Sequence, residues 1–179
     1  RYPGSDRIEE AYNYLVSTFL LDKNYKAALS SLDKIRNKDS KLEEAYQRVA
    51  YYRGLELFRN LEIDAAIDMF DKSLKYGKYN RQLRAGATYW RAEANYRLGR
   101  YEDAKKDYTE FLGIPGSSSL DENKLLRYNL GYTLFNLKDY SNARIHLLNF
   151  ESTATKVKSE VLYDARNRIA DCFYITTDY

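Results

Sequence analysis

The amino-acid sequence predicts an all-α solenoid of antiparallel helix pairs, and two observations support this prediction. The first is a recurring alanine, found at Ala28, Ala66, Ala104 and Ala143, with an aromatic or aliphatic residue three positions before it. The steps between these alanines are 38, 38 and 39 residues. The second is the helical spacing of the apolar residues. A fixed period of this size is typical of a solenoid, in which each hairpin buries its apolar face only against its neighbours.

The periodicity predicts nine helices, of which the first covers about residues 6–22 and its partner about 25–36. Three further pairs and one unpaired helix follow. The pairs are 41–60 with 63–76, 80–98 with 101–112, and 120–137 with 140–152, and the last helix is 156–175. We therefore expect a single array with units at about 6–40, 41–78, 79–118 and 119–155 and a partial unit at 156–179.

Capping patterns mark several of the predicted helix starts. A serine or aspartate is followed three residues later by a glutamate, which is the pattern of a capping box. The pairs are Asp6 with Glu9, Ser40 with Glu43, and Ser119 with Glu122. The glycine- and proline-containing segment 113–119 is expected to be a longer turn between repeats. It lacks the Gly-Lys-Ser/Thr ending of a phosphate-binding loop.

The composition is that of a folded protein, with 44% hydrophobic and 31% charged residues in a chain of 179. The net charge of +3 is close to balance, which disfavours a nucleic-acid-binding function. A single cysteine, Cys172, cannot form an internal disulfide, so cysteine usage leaves the compartment open. The longest apolar run, residues 14–21, is too short to span a bilayer. Because the sequence has no initiator methionine and no signal-peptide pattern, we expect a chain that is either processed or a piece of a longer one.

The sequence does not predict an enzyme. His146 is the only histidine, and no nucleophile or acid–base partner accompanies it in the sequence. Cysteine and histidine do not occur at the spacings of a metal site. The acidic pairs fall in the first turns of helices, where the helix dipole favours negative charge. We therefore expect no catalytic residues, no cofactor and no bound metal.

The pattern within the units resembles the tetratricopeptide repeat family over nearly the whole chain. The fourth unit carries the small, aromatic and bulky residues of that family at the matching positions. They are Leu130, Gly131, Leu134, Phe135, Tyr140, Ala143, Leu147 and Phe150. The resemblance implies a right-handed superhelix. The period exceeds the family's 34 residues by four or five, which is about one helical turn. Long-helix variants of this kind resemble bacterial cell-envelope proteins, which favours a periplasmic or envelope location over a cytoplasmic one.

The resemblance also implies that the first helix of each pair lines a concave groove. Positions 2, 5, 9, 12 and 13 of each unit would face a bound peptide. The candidate residues in the central units are Tyr51, Phe58, Tyr89, Glu93, Tyr96, Tyr128, Tyr132 and Phe135. The equivalents in the outer units include Asn13, Ser17, Leu20, Asn167, Asp171 and Tyr174. Rigid rings with polar tips are good anchors for a partner, but each ring could instead serve only to pack the repeats.

Arg53 and Arg91 stand where the family usually has an apolar side chain. A charge at such a place must reach solvent or find a carboxylate, because an unpaired buried charge is costly. We hypothesise that both arginines reach the rim of the groove and favour acidic segments. The carboxylate clamp of chaperone-binding family members is not expected, because only Asn129 and Arg168 match its residues.

The expected function is that of a non-catalytic scaffold that binds a peptide or partner segment in the concave groove. The alternative is a structural or self-associating stretch of a longer array in bacterial envelope assembly. Ile169 and Phe173 support this alternative, because they are placed to meet a following helix. The expected partner is a protein or peptide, with no nucleic acid and no membrane insertion, and self-association would use the open last helix.

Overall fold

The computed structural model describes residues 24–155 and 157–176, together with Tyr14 and Thr18. The two long segments contain eight α-helices and one turn of 3-10 helix, and no β-strand. The all-α fold of helix pairs is therefore confirmed. Apart from Tyr14 and Thr18, the predicted first helix, 6–22, lies outside the described residues.

The helices are consecutive and joined by short turns. Their bounds are α1 Tyr25–Asp33, α2 Ser40–Arg59, α3 Ile63–Lys75, α4 Arg81–Arg97, α5 Tyr101–Gly113, α6 Asn123–Asn136, α7 Tyr140–Thr153 and α8 Ser159–Thr176. The 3-10 turn, Ser117–Ser119, lies between α5 and α6. The chain divides into two compact units, residues 1–87 and 88–179, and the boundary falls inside α4. None of the described helices is long and apolar enough to cross a membrane.

Two of the predicted capping boxes are wrong. The N-cap of α2 is Asp39, whose Oδ1 accepts a hydrogen bond from the Leu42 amide at 2.8 Å, so that Ser40 is already inside the helix. A carboxylate is the stronger acceptor for a free amide. Ser119 belongs to the 3-10 turn, and its hydroxyl donates to the Gly116 carbonyl at 2.8 Å. That turn delays the start of α6 to residue 123.

A left-handed residue ends the first helix of three successive hairpins. These residues are Leu61, Gly99 and Lys138, with φ angles of 65°, 72° and 63°. The amide of the next residue bonds to a carbonyl five residues earlier, which is the Schellman pattern. The three bonds, each 2.9 Å long, are Glu62 to Leu57, Arg100 to Asn95 and Asp139 to Leu134. Each hairpin therefore reverses direction through the same turn, although only one of the three carries glycine.

Within a hairpin, the two helices approach closely where the first helix has a small residue. A Cβ atom added at Gly54 would lie 2.6 Å from the ring of Phe70 on α3. A Cβ added at Gly131 would lie 2.6 Å from Leu147 Cγ on α7. Phe70 and Leu147 are both fully buried. The alanines that set the sequence period lie on the second helices and are also fully buried, at Ala28, Ala66, Ala104 and Ala143.

Buried polar groups in residues 24–87 are satisfied within that unit. Gln47 is fully buried, and its amide donates to the Asn80 carbonyl at 2.8 Å while its oxygen accepts from the Asn80 amide at 2.9 Å. The Ser73 hydroxyl donates to the Gln47 carbonyl at 2.9 Å. These bonds tie α2 to α3 and to the start of α4. They hold successive hairpins in register because each group would otherwise be buried without a partner.

Replacing Leu61 or Lys138 by glycine should stabilise the protein. Both side chains are exposed, so the change loses little packing. A left-handed conformation costs a non-glycine residue roughly 1–2 kcal/mol. Glycine avoids this cost, but it loses more conformational entropy on folding, which offsets part of the gain. We expect a net gain of about 0.5–1 kcal/mol per site, measured as a higher midpoint of urea unfolding. Gly99→Ala, at the equivalent turn, should lower the midpoint, and equal midpoints for all three variants would contradict this account of the turn.

Gly131→Ala should destabilise the fourth hairpin. The new methyl group would meet Leu147, so the two helices must separate or the leucine must leave its rotamer, at a cost of about 1–3 kcal/mol. Gly113→Ala is the matched control, because a Cβ there has no atom within 4 Å and the helix gains an alanine. Thermal melting followed by circular dichroism should show a loss for the first variant only. A similar melting temperature for both variants would argue against the close contact.

Candidate protein interface

In residues 88–179, the first helices of successive hairpins are joined side by side. Asn136 on α6 donates from Nδ2 to the Tyr96 hydroxyl on α4 at 3.2 Å. Tyr128 on α6 donates to Asp164 Oδ2 on α8 at 2.6 Å. Helix α6 therefore contacts both α4 and α8. We call the resulting surface the first-helix strip, and it consists of Tyr96, Tyr128, Tyr132, Phe135, Asn136, Asp164 and Arg168.

Glu93 lies beneath one end of this strip and holds three helices together. Its Oε1 accepts hydrogen bonds from the Tyr108 hydroxyl on α5 and from Asn129 Nδ2 on α6. The same Asn129 nitrogen lies 2.9 Å from the Tyr89 hydroxyl. Burial raises the pKa of the Glu93 carboxyl, and the hydrogen bonds partly offset that effect. Burial also raises the pKa of Tyr89 and Tyr108. These three groups therefore act as structural links.

Asp164 links α6 to α8 in the same way that Glu93 links its neighbouring helices. It accepts hydrogen bonds from the hydroxyls of both Tyr128 and Tyr132. The centroids of the two tyrosine rings are 4.8 Å apart. Burial is the largest cause of the raised pKa of both phenols, and the hydrogen bond to Asp164 is the second. Both rings are consequently fixed at their polar ends.

Arg168 covers the next part of the strip. Its guanidinium carbon lies 4.4 Å from the centroid of the Phe135 ring and 5.1 Å from that of Tyr132. Nη1 donates to Asp171 Oδ2 at 2.9 Å, and 30% of the arginine side chain is exposed. The buried Nε has no hydrogen-bond partner among the described residues. A flat guanidinium over two rings is an electrostatically favourable arrangement.

Neighbouring rings hold Tyr96 and Phe135 in place. The Tyr96 ring meets Tyr101 edge-on at a centroid distance of 5.4 Å, and the Phe135 ring meets Tyr140 in the same way at 5.1 Å. Tyr101 and Tyr140 are the aromatic residues that precede the period-setting alanines by three positions. Tyr96, Tyr132 and Phe135 all remain partly exposed. They are therefore fixed rings that a partner could still reach.

Three of the predicted groove residues lie in the core. Tyr51 is 9% exposed, and Phe58 and Tyr89 are each 4% exposed. The Tyr51 ring lies 6.4 Å from that of Phe70, and a Cβ added at Gly86 would lie 2.8 Å from its hydroxyl oxygen. These rings pack the helices. Each of these three residues has a counterpart at the same position of another unit whose ring is partly exposed. The sequence alone therefore did not distinguish a ring that packs the helices from one that a partner can reach.

The two arginines at usually apolar positions each meet a carboxylate of this chain. Arg91 forms a two-point ion pair with Asp107 on α5, with Nε to Oδ2 at 2.8 Å and Nη2 to Oδ1 at 2.6 Å. Asp107 is almost fully buried. Arg53 Nη1 lies 2.5 Å from Glu56 Oε2 on its own helix. Their preference for acidic segments stays a prediction, and both are engaged within their own units.

The outer candidates are placed differently. Asn13, Ser17 and Leu20 lie outside the described residues. Asn167, Asp171 and Tyr174 are exposed on α8. Asn136, Asp164 and Tyr108 are not among the site residues predicted from the sequence, although two of them could have been found. Asp164 and Asn136 occupy positions 2 and 13 of their units, which the family resemblance names, whereas Tyr108 acts from a second helix.

The described residues contain no group of three histidine, cysteine or acidic side chains that could hold a metal ion.

His146 on α7 is partly buried, and its Nδ1 has no hydrogen-bond partner within the described part of the chain. Burial lowers the pKa of His146, and the positive charge of Arg127 lowers it further. This environment favours the neutral ring at physiological pH.

Helical hairpins with the same turn and the same small-residue contact define a helical repeat protein. Residues 51–119 match the family model described as a tetratricopeptide repeat. The chain therefore contains tetratricopeptide repeats over residues 51–119, which supports the family resemblance that its sequence pattern predicted. No curated protein matches the chain in a sequence comparison. Repeats of this family generally mediate protein–protein interactions and are typically non-catalytic. The resemblance to the cell-envelope variants stays a prediction.

The charge of Glu93 should oppose folding near neutral pH. Because burial raises its pKa above the ordinary 4.5, the folded protein binds this proton more tightly than the unfolded chain does. The cost of the charge therefore disappears as the pH falls through the raised pKa. Glu93→Gln removes the charge and retains an acceptor oxygen. We expect the variant to be more stable than the wild type at pH 7, with the difference shrinking toward pH 4.5.

Urea unfolding across this pH range measures the difference. Glu160→Gln is the control, because Glu160 is exposed in the first turn of α8 and should give no comparable stabilisation. A stability difference between Glu93→Gln and the wild type that does not change with pH would show that the carboxylate is not strained by burial.

Proposed function

We propose that the first-helix strip binds a segment of a protein partner. The observation that supports this proposal most directly is the set of partly exposed rings of Tyr96 on α4 and of Tyr132 and Phe135 on the adjoining α6. The match of residues 51–119 to the tetratricopeptide repeat model supports it in general terms, since such repeats generally mediate protein–protein contacts.

The fixed rings favour binding because they lose little freedom when a partner arrives. The Tyr132 hydroxyl is held by Asp164, the Tyr96 hydroxyl accepts from Asn136, and Phe135 lies between Tyr140 and Arg168. Immobilising a side chain at an interface costs about 0.5–1.5 kcal/mol. Rings that are already ordered avoid most of this cost, so that burial of their apolar faces contributes directly to affinity.

Polar groups beside the rings can orient the partner. Asn136 is exposed, and its amide nitrogen is committed to Tyr96 and to the Tyr132 carbonyl at 2.9 Å. Its side-chain oxygen has no hydrogen bond among the described residues, so it can accept one from a partner's backbone amide. Arg168 is paired with Asp171, which leaves this part of the strip nearly balanced in charge. The proposed partner segment is therefore anchored by apolar side chains rather than by net charge.

The strip consists of a few rings on α4 and α6 and two charged residues on α8, which is a modest area for an interface. An ordinary transient affinity follows, near micromolar or about −8 kcal/mol. Such contacts depend on a small number of residues at the centre. Phe135 is the central ring, because it lies on the middle helix and contacts residues of both α7 and α8.

Phe135→Ala should abolish most of the binding. Peptides selected from a random display library against the purified chain serve as the probe, and fluorescence anisotropy measures their affinity. Loss of a central aromatic anchor costs about 2 kcal/mol or more, so we expect at least roughly thirtyfold weaker binding. Tyr163→Ala is the matched control, since this ring is 62% exposed on α8 but is not part of the strip.

A second variant separates binding from folding. Asn136→Arg adds bulk on an exposed residue of the strip and should weaken the selected peptides without changing the circular dichroism melt. Full affinity in both Phe135→Ala and Asn136→Arg, or a loss only in Tyr163→Ala, would reject the strip as the binding surface.

A further inference from the structure

Arg53 and Arg91 occupy equivalent places on the first helices of successive hairpins, 38 residues apart, but the second helices offer them different partners. Arg91 is paired at two points with Asp107 on α5, at 2.8 and 2.6 Å. The residue 38 positions before Asp107 is Met69 on α3. A thioether is at most a weak hydrogen-bond acceptor. The repeat register therefore supplies a carboxylate to the guanidinium of Arg91 and a methionine to that of Arg53.

The guanidinium of Arg53 has hydrogen-bonding capacity left for another acid. Nη1 donates to Glu56 Oε2, on the same helix, at 2.5 Å. The other two guanidinium nitrogens, Nε and Nη2, have no hydrogen bond to a described residue. The Arg53 side chain is only 18% exposed, so most of it is removed from water. Because a guanidinium binds a carboxylate best through two nitrogens at once, a second acid would find the better part of this group still available.

Arg53 and Met69 line the same open pocket, which lies between α1 and α3 and has a volume of about 590 Å³. We call it the Arg53 pocket. Leu29 and Leu57, which are 7% and 4% exposed, give it an apolar base, and Met69 and Ala65 are partly exposed beside them. A pocket that combines apolar walls with a few polar groups is typical of a binding site.

The other charged residues of the pocket do not exclude an acid. Lys26 and Lys34 are exposed, and their ammonium groups have no ion pair with a described residue. The acids that line the pocket are Asp33 and Glu62, both also exposed. Since the two lysines offset these two acids, the group that can select a carboxylate is the guanidinium of Arg53.

We propose that the Arg53 pocket binds an aspartate or glutamate side chain of a protein partner, with an apolar residue next to it. The carboxylate pairs with Arg53 as Asp107 pairs with Arg91, and the apolar neighbour packs against Met69 and Ala65. A protein segment is the expected source of the acid, because a single ion pair near the surface contributes little by itself. The apolar contacts that a segment adds supply the remaining affinity.

This inference does not rest on the first-helix strip. All lining residues of the Arg53 pocket lie in the first compact unit, whereas the strip lies in the second. The inference also gives separate answers for the two arginines whose preference for acidic segments was predicted from the sequence. Arg91 is paired with an acid of its own hairpin, and Arg53 is the one that can receive an acid from a partner.

Met69→Asp tests, without any ligand, whether Arg53 can pair with a carboxylate in this pocket. The change copies Asp107 of the next hairpin. Arg53→Leu provides the reference background, because the equivalent residue of the fourth hairpin is Leu130. We expect Met69→Asp to lower the urea midpoint less in the wild type than in the Arg53→Leu background, since only Arg53 can pair with the new acid. Equal shifts in the two backgrounds would overturn the proposal.

Short capped peptides test the partner chemistry. Two libraries, with a fixed central glutamate or glutamine and otherwise random positions, are selected against the full 179-residue chain, and fluorescence anisotropy measures the affinities. We expect the selected glutamate peptides to carry an apolar residue next to the acid. Changing their glutamate to glutamine should weaken binding at least about tenfold, because it removes one partner of a charge pair. Equal affinities for the two forms would reject the carboxylate.

Matched variants place the binding in the Arg53 pocket. Met69→Asp, which supplies an internal acid, and Arg53→Leu should each weaken the glutamate peptides about tenfold, with the circular dichroism melt confirming the fold. Arg59→Leu is the control, because Arg59 is exposed on the same helix and does not line the pocket. Full affinity in Met69→Asp and Arg53→Leu, or an equal loss in Arg59→Leu, would reject the pocket. Displacement of the peptides by glutarate at the same concentration as by free peptide would reject a protein partner. Phe135→Ala should leave these affinities unchanged, which separates this test from that of the strip.

Discussion

The close approach of two helices at a small residue is the constraint on which the rest of this structure depends. Gly54 under Phe70 and Gly131 under Leu147 leave no room for a methyl group. Because the contact must recur in every hairpin, the residues that make it recur along the chain, and the period of 38 or 39 residues follows.

Tyrosine hydroxyls bonded to carboxylates of neighbouring helices are the second recurrent feature. Tyr46 donates to Asp33 at 2.7 Å, and Tyr79 donates to Glu43. Tyr108 with Glu93, and Tyr128 with Asp164, repeat the arrangement in residues 88–179. A tyrosine fills space like phenylalanine, and its hydroxyl satisfies an acid that would otherwise be desolvated alone. Such bonds explain why a repeat rich in tyrosine is compatible with a well-packed interior.

These internal bonds also shape the surface that remains for a partner. Glu93 and Asp164 are committed to tyrosines, and Arg168 to Asp171 and two rings, so their charges are largely used inside the molecule. The exposed parts of the first-helix strip are therefore ring faces and a side-chain amide.

The sequence by itself determined the described helices, their order and the resemblance to the tetratricopeptide repeat family, because these follow from local patterns. Apolar spacing gave the bounds of the described helices to within three residues, and the alanine period gave the repeat. It also placed the candidates for the interface on the first helices of the pairs, since a repeat fixes which residues share a face.

Only the tertiary structure decided which of those candidates are accessible. Tyr89 and Tyr128 hold the same position in their units, yet one is buried by Tyr108 and Phe111 and the other keeps part of its ring exposed. The partners of Arg91 and of Tyr128 lie 16 and 36 residues away in sequence. No local pattern encodes such a pairing. Burial and hydrogen bonding depend on which side chains meet in space, and that is fixed only when the hairpins pack together.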